Sequence, residues 1–175
     1  IYMKCTSHSV LETAEFAKKF LQTLATRGET SSATVVGLYG NLGAGKTTFT
    51  QCFAKELGIT ETITSPTFVI EKIYRVDHSS STAFPQGYPT TSPQVFPHFK
   101  LPFTQLIHID AYRLERGSEL AVLGFKNLLT DSKNLILIEW PERVADIMPK
   151  DHIQLKFEFV DENTRTMEMV DSTLV

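Results

Sequence analysis

Apolar residues recur every three or four positions in the first part of the chain and then give way to short unbroken apolar runs. Ser9 and Glu12 have the spacing of a helix capping box, and the apolar residues behind them follow helical periodicity. An amphipathic helix is therefore predicted to run to about Ala25. A polar loop follows over 27–32, and the apolar run over 34–39 predicts a buried strand.

The rest of the pattern predicts one more helix and several strands. Residues 46–57 form the second helical segment, and Gly58 stands where a helix commonly ends. Apolar runs and alternating patterns predict strands over 67–74, 106–110, 135–139, 153–159 and 164–170. The polar turn at 161–163 joins the last two as an antiparallel hairpin. We therefore predict an α/β fold, with a mainly parallel central sheet flanked by helices.

Residues 75–104 interrupt this pattern. They contain five of the eight prolines of the chain, and proline at that density excludes a continuous helix or a central strand. We predict a proline-rich surface insertion in a single domain that spans residues 1–175. The five aromatic residues of the insertion indicate that parts of it pack on the parent domain or contact a partner.

Composition narrows the class of protein. A chain of 175 residues, 42% of them hydrophobic, can bury one substantial core. The formal net charge of −3 gives no overall attraction to nucleic acid or anionic lipid. The sequence contains no apolar run long enough to span a membrane and no signal-peptide core near its start. Cys5 and Cys52 lack metal-ligand spacing, a disulfide between them stays open, and a cytoplasmic location fits best.

Residues 40–47, here termed the glycine loop, read Gly-Asn-Leu-Gly-Ala-Gly-Lys-Thr and match the pattern G-x-x-x-x-G-K-[ST]. Its glycines permit a turn whose N–H groups point at phosphate oxygens, and the following helix adds a partial positive charge. Lys46 would reach the β- and γ-phosphates, Thr47 would coordinate Mg²⁺, and Thr48 would order the first helical turn. Since a strand precedes the loop and a helix follows it, a P-loop NTPase fold is favoured over a glycine-rich turn without a ligand.

Two carboxylates lie where the chemistry of phosphoryl transfer needs them. Asp110 and Glu139 each end an apolar strand, at the edge where open α/β sheets bind ligands. Either one could hold Mg²⁺ or orient the attacking water, and either could instead be a helix cap or a surface charge. Thr67, in Ser-Pro-Thr-Phe, is placed as a sensor of the γ-phosphate, unless the Ser-Pro pair only turns the chain into a strand.

Five segments, taken in order, resemble the TsaE (YjeE) family. They are G-N-L-G-A-G-K-T-T, S-P-T-F, H-I-D-A-Y-R-L, E-L-x-x-L-G and L-I-E-W-P-E. Members of this family are bacterial ATPases needed for the threonylcarbamoyl modification of adenosine 37 in tRNAs that read codons starting with A. The resemblance covers nearly the whole chain. The insertion over 75–104 departs from it, because the family connects these two strands more briefly.

The resemblance implies ATP and Mg²⁺ as cofactors. It implies the TsaB–TsaD heterodimer as the partner, with tRNA reached indirectly through that complex. Glu139 matches the magnesium-associated carboxylate, Asp110 the acidic residue needed for hydrolysis, and Thr67 a switch-like threonine. The residues implied to contact the nucleotide are Leu42, Gly43, Ala44, Gly45, Lys46, Thr47, Thr48, Trp140, Glu142, Arg165 and His8 or Ser9.

The sequence thus predicts a slow, partner-dependent ATPase of the tRNA N6-threonylcarbamoyladenosine (t6A37) machinery. One alternative is a small-molecule or nucleotide kinase, although the six arginines are scattered and none marks a lid. Another alternative is a nucleotide-gated binding module without hydrolysis. A GTPase is disfavoured, because no guanine-reading N-K-x-D motif is present.

Overall fold

The computed structural model describes residues 2–28, 30–76 and 101–170. Its strands and helices, in chain order, are β1 (Met3–Ser7), α1 (Val10–Ala25), β2 (Thr34–Tyr39), α2 (Lys46–Glu56), β3 (Glu71–Arg75), β4 (Gln105–Asp110), α3 (Gly117–Val122), α4 (Phe125–Leu129), β5 (Asn134–Glu139), β6 (Ile153–Phe159) and β7 (Arg165–Val170). A short 3₁₀ turn, Pro141–Val144, follows β5. Within the described ranges, no helix combines the length and the apolar character that crossing a membrane requires.

The seven strands form one sheet in the order β1-β7-β6-β2-β5-β4-β3. Strands β6, β2, β5 and β4 run parallel to one another at its centre. Strands β3, β7 and β1 add antiparallel pairs toward the two edges. The predicted α/β class and the C-terminal hairpin β6–β7 are confirmed, and the sheet as a whole is mixed.

The hydrophobic patterns reflect where each strand lies. Every residue of β5 is buried, which is why its sequence is an almost unbroken apolar run. Strand β6 alternates between buried and more exposed residues over its first five positions, as expected for a strand with one solvated face. The parallel strands β2, β4 and β5 are therefore covered on both faces, whereas β6 is covered mainly on one.

Helices α1 and α2 cover one face of the sheet through packed aromatic rings. The ring of Phe49 lies 6.0 Å from those of Phe16 and Phe20 and 5.4 Å from that of Phe157 in β6. Phe53 extends the cluster, at 5.6 Å from Phe20. Burying each such ring contributes about 1.5–3 kcal/mol, so this cluster fixes α2 firmly against the sheet. The opposite face is covered by the smaller helices, which bury Leu120 and Phe125.

The two main helices begin and end as predicted, with one difference in the cap. The Ser9 side chain accepts a hydrogen bond from the Glu12 N–H at 3.2 Å, as a capping residue does. The Glu12 carboxylate accepts from the N–H of His8 at 2.7 Å and not from that of Ser9. Helix α2 gives way to a C-terminal cap at Leu57, and Gly58 follows with a φ of 79°. Cys5 and Cys52 are both free thiols.

Three features differ from the prediction. Strand β1 and the helices α3 and α4 were not predicted, and β3 begins at Glu71 instead of Thr67. Strand β3 begins later than predicted because residues 65–70, here termed the switch turn, fold back on Pro66. The N–H groups of Val69 and Ile70 both donate to the Pro66 carbonyl, at 2.9 and 2.6 Å.

The predicted insertion over 75–104 lies largely outside the described residues, which stop at 76 and resume at 101. Its two ends meet, since the Val76 N–H donates to the Thr104 carbonyl at 3.0 Å. The segment therefore joins the antiparallel neighbours β3 and β4 at one end of the pair.

Candidate nucleotide-binding site

The glycine loop connects β2 to α2 and needs its glycines for two separate reasons. A Cβ on Gly40 would lie 2.4 Å from the Phe157 carbonyl oxygen, so the loop packs too closely on β6 for any side chain there. Gly45 is the N-cap of α2 with a φ of 99°, and its lack of a side chain leaves the first N–H groups of α2 without a side-chain cap. Those N–H groups remain available to an anion.

Lys46 lies within the loop with its side chain almost fully enclosed, at 5% exposure. Its Nζ donates to the carbonyls of Gly40 and Asn41 at 2.5 and 3.0 Å, and lies 4.0 Å from the centre of the Trp140 ring. Burial lowers the pKa of Lys46, while the charges of Glu139, Glu142 and Asp110 act in the opposite direction. The loop therefore encloses the Lys46 ammonium, and the hydrogen bonds to two neutral carbonyls offset only part of the cost of burying its charge.

Thr47 and Glu139 come together at the carboxyl ends of the parallel strands. The Thr47 Oγ1 donates to both carboxylate oxygens of Glu139, at 3.0 and 3.2 Å, and Glu139 is 3% exposed. In the described part of the chain, no three Cys, His, Asp or Glu side chains are grouped as metal ligands. Mg²⁺ takes one or two protein oxygens together with phosphate oxygens. A hydroxyl beside a carboxylate, below an open glycine loop, fits that ligand set.

Asp110 lies opposite Glu139 in the parallel register of β4 and β5, but its carboxylate has different hydrogen-bond partners. Its carboxylate accepts hydrogen bonds from the hydroxyls of Ser65, at 2.9 Å, and Thr67. It also accepts from the N–H of Tyr112 at 3.0 Å. Four predicted site residues thus form two pairs: Thr47 with Glu139, and Thr67 with Asp110. The second pair ties the switch turn to the end of the sheet.

A cleft of about 260 Å³ opens beside the loop, between the start of α1 and the hairpin β6–β7. Six of the predicted contact residues line it, namely His8, Gly43, Ala44, Gly45, Thr48 and Arg165, and Ser9 lines it as well. The Arg165 Nε donates to the Gly43 carbonyl at 3.0 Å, and the guanidinium lies 4.4 Å from the centre of the Phe159 ring. His8 contacts Thr164 through Nδ1 at 3.2 Å. These residues line a single cleft.

The remaining predicted contacts occupy different positions. Trp140 has a φ of 60° and contacts both Lys46 and Tyr112, whose ring centre is 5.1 Å away. It is partly buried and also packs against the hydrophobic core. Glu142 is exposed and influences Lys46 through its charge. Leu42 is 81% exposed and does not line the cleft, so at this position the side chain points to solvent.

Sequence reasoning missed two residues of this site. His108 is fully buried, and its Nε2 lies 2.9 Å from Glu139 Oε1. Ser65 shares the carboxylate of Asp110 with Thr67. The alternation His-Ile-Asp on a strand was the available signal, since it places His108 and Asp110 on the same face. Finding the His108–Glu139 contact also required the register between β4 and β5.

Comparison with known proteins agrees with this arrangement. The family model described as "Threonylcarbamoyl adenosine biosynthesis protein TsaE" matches residues 7–167. The tRNA threonylcarbamoyladenosine biosynthesis protein TsaE of Rickettsia typhi is 32% identical over 161 residues, which cover 91% of this chain and 89% of that protein. The protein of the same name from Haemophilus influenzae is 29% identical over 159 residues, 90% of this chain and 82% of its own length.

A solved structure resembles the whole fold. The crystal structure of YdiB from Bacillus subtilis has a TM-score of 0.63 to this chain at 25% identity, and the match covers 98% of this chain and 86% of YdiB. The predicted fold class is thereby confirmed. The family match extends over both described pairs and over the cleft beside the glycine loop. On these grounds the chain belongs to the TsaE family.

Proposed function

We propose that this protein binds ATP with Mg²⁺ at the glycine loop and hydrolyses it as a cytoplasmic component of the t6A37 tRNA modification machinery. The observation that carries the proposal is the convergence of Lys46, Thr47 and Glu139 at the mouth of the loop. Membership of a family described by threonylcarbamoyl adenosine biosynthesis supports the pathway. The TsaB–TsaD complex is proposed as the partner on which this ATPase acts, and tRNA would be reached indirectly through that complex.

Lys46 would serve as the electrostatic anchor of the triphosphate. Its ammonium donates to the Gly40 and Asn41 carbonyls. Phosphate oxygens carry full negative charge and bind an ammonium better than neutral carbonyls do. The uncapped N–H groups at the start of α2 would face the same anion.

The carboxylates of Glu139 and Asp110 would have different functions in ATP hydrolysis. Thr47 and Glu139 would hold Mg²⁺, which neutralises charge on the phosphates when it is bound. Asp110 would orient the attacking water and hold the switch turn through Ser65 and Thr67. Thr67 could exchange its hydrogen bond with Asp110 for one with the γ-phosphate, which would couple the state of the nucleotide to the switch turn.

The nucleoside half of ATP would lie in the cleft between α1 and the hairpin. The side chains there, including His8, Thr48 and Arg165, offer both donors and acceptors. The Arg165 guanidinium reaches the loop itself through Gly43, so it would link the hairpin to the bound nucleotide. In this proposal Trp140 and Glu142 border the phosphate end, near Lys46.

The proposal is tested by combining the purified protein with ATP, Mg²⁺, a TsaB–TsaD pair and substrate tRNA. Phosphate release and modified tRNA are followed over several turnovers for the wild type, Lys46→Ala and Glu139→Ala. Lys55→Ala and Glu158→Ala serve as matched controls, since both residues are exposed and lie outside the site. We expect the two site variants to fail after the first turnover and the two controls to continue.

Three results would contradict the proposal in different ways. Full multiple-turnover modification by both site variants would exclude a role for ATP hydrolysis. Modification that requires ATP binding but proceeds without phosphate release would favour a nucleotide-gated binding module. Transfer of phosphate to a small molecule or a nucleotide would favour a kinase.

A further inference from the structure

A buried histidine lies directly behind the proposed magnesium ligand. His108 is in the interior of β4 with 0% of its side chain exposed, and Glu139 ends the neighbouring strand β5. The His108 Nε2 lies 2.9 Å from Glu139 Oε1. The other ring nitrogen, Nδ1, is buried without a hydrogen-bond partner among the described residues. None of the steps proposed above uses this histidine.

The hydrogen-bond chemistry of the pair fixes the direction of this contact. A carboxylate that binds Mg²⁺ is ionised and can only accept hydrogen bonds, so for Glu139 to act as that ligand the His108 Nε2 must carry the proton and donate it. The buried Nδ1 then has no compensating bond, which costs free energy that an apolar side chain of similar size would not incur. Among the described residues, the hydrogen bond that the ring makes is therefore the one from Nε2–H to the buried Glu139 carboxylate.

The same contact restrains the orientation of the carboxylate. In the described part of the chain, Glu139 accepts hydrogen bonds from two side chains, Thr47 at the site and His108 from the interior. Thr47 bridges both oxygens at nearly equal distances, 3.0 and 3.2 Å, so the carboxylate faces it directly. Without the donor from His108, the carboxylate would be free to rotate away from that orientation. Groups behind a metal ligand that fix its orientation commonly change metal affinity by about 10- to 100-fold.

We propose that His108 is a positioning residue, whose Nε2–H holds the Glu139 carboxylate toward Thr47 and so increases the affinity of the site for Mg²⁺. This inference rests on the proposed function, because it concerns the magnesium of the same nucleotide site. Strand β4 would then carry two functional residues. His108 orients the metal ligand, and Asp110, two positions later, holds the switch turn.

Three substitutions separate positioning from packing. His108→Leu preserves the approximate size but removes the donor. His108→Gln places an amide nitrogen near the position of Nε2, whereas the shorter His108→Asn reaches only the position of Nδ1. Positioning therefore predicts that Gln rescues function and that Asn and Leu do not. A role in packing alone predicts no advantage of Gln over Leu.

The measurement is the dependence of ATP affinity on Mg²⁺, determined by calorimetry on the full chain with and without a chelator. Trp140, the only tryptophan of the chain, lies 4.0 Å from the Lys46 Nζ and provides a fluorescence signal from the same site. We expect His108→Leu and His108→Asn to need about tenfold more Mg²⁺ for half-maximal binding, and His108→Gln less than about threefold more. Affinity for ATP without Mg²⁺ is expected to stay within about twofold for all variants.

The possible results separate this inference from the proposed function. If wild-type protein binds ATP with Mg²⁺ and His108→Leu has the same Mg²⁺ requirement, the positioning role is wrong while the proposed function stands. An equal loss of ATP affinity with and without Mg²⁺ would also overturn it, because the residue would then support the loop in general. If wild-type protein does not bind ATP, both fail. If His108→Leu does not fold, the Mg²⁺ requirements of His108→Gln and His108→Asn are compared instead. Equal requirements for these two variants would overturn the positioning role.

Discussion

The glycine loop and the switch turn border the same site, yet they are built differently. The loop is held by buried groups, with Lys46 enclosed at 5% exposure and Thr47 fixed against a Glu139 that is 3% exposed. The switch turn carries Phe68 and Val69 at 84% and 66% exposure. Its ties to the sheet run through the Asp110 carboxylate and through the N–H of Asp110, which donates to the Ile70 carbonyl at 2.9 Å.

This contrast indicates which region can respond to a ligand. A loop whose backbone donors are already in place can bind an anion while only side chains such as Lys46 exchange partners. The switch turn also contains Ile70 at a φ of 69°, a left-handed conformation that is unfavourable for a β-branched residue. Few buried contacts and local strain are typical of segments that open with little free energy. We therefore expect the loop to determine affinity and the switch turn to change with the state of the nucleotide.

The largest effect is expected when the charge inside the loop is removed. Lys46→Met should lower ATP affinity by about 100-fold, or ~3 kcal/mol, because a buried charge that pairs with phosphate is lost. The same change should not lower the free energy of unfolding without nucleotide at pH 7. Calorimetric titration and denaturant unfolding measure the two quantities, and Lys55→Met is the exposed control on the same helix.

The pH dependence of this effect has a defined sign. Burial, the largest cause, lowers the pKa of Lys46 in the folded protein below its ordinary value of 10.5. Below the lowered pKa the folded protein carries the full penalty for enclosing the ammonium, and the penalty disappears as the pH rises through the lowered pKa toward 10.5. Any stability gained by Lys46→Met should therefore shrink in alkaline solution. A gain that grows with pH would contradict the assigned cause.

The second effect concerns the fit of the loop against the sheet. Gly40→Ala should destabilise the protein by about 2–3 kcal/mol in denaturant unfolding, because the new Cβ would meet the Phe157 carbonyl oxygen at 2.4 Å. Gly43→Ala is the matched control: no atom lies within 4 Å of its Cβ, and only the φ of 77° is unfavourable. We expect about 1 kcal/mol for the control. Equal losses would show that backbone conformation, and not close packing, limits the loop.

A smaller effect should follow when the switch turn is loosened. Asp110→Asn replaces charge-assisted hydrogen bonds to Ser65 and Thr67 with neutral ones, which costs about 1 kcal/mol. Hydrogen exchange at the amides of Val69 and Ile70 should accelerate about five- to tenfold, whereas ATP affinity should change by less than about threefold. Asp131→Asn, in an exposed loop, should leave both unchanged. Loss of affinity without faster exchange would place Asp110 with the magnesium ligands instead.

The smallest effect is expected at the tip of the switch turn. Phe68 is 84% exposed and has the Arg113 guanidinium 4.4 Å from its ring centre. Phe68→Ala should change the free energy of unfolding by less than about 0.5 kcal/mol, since little buried surface is lost. Thermal and denaturant unfolding test this directly. A loss above about 1.5 kcal/mol would mean that the switch turn is packed as firmly as the loop.

The sequence predicted β2, the glycine loop and α2 well, because the local residue preferences and the overall α/β pattern favour the same structure there. The apolar run of β2, the glycine pattern and the helical spacing of α2 each specify one conformation at neighbouring positions. Strand β1 was missed because its five residues alternate only weakly between partial burial and exposure. The helices α3 and α4 are six and five residues long, too short for a helical period to stand out.

The contacts within the site could be predicted only in part. Asp110 and Glu139 were assigned to strand ends, but their different partners depend on the register of β4 and β5. The role of His108 depends on the same register. Strand β3 was predicted to begin at Thr67 because residues 67–70 are apolar or β-branched; the turn around Pro66 prevails there and leaves Phe68 and Val69 in solvent.

The central claim is that the glycine loop is a preformed site for ATP and Mg²⁺. Titration of the purified protein with ATP, followed by calorimetry in the presence and absence of Mg²⁺, tests it most directly. We predict saturable binding of one ATP per chain that tightens with Mg²⁺ and is lost in Lys46→Met but not in Lys55→Met. Absence of binding by the folded wild-type protein, or equal binding by Lys46→Met, would contradict the account.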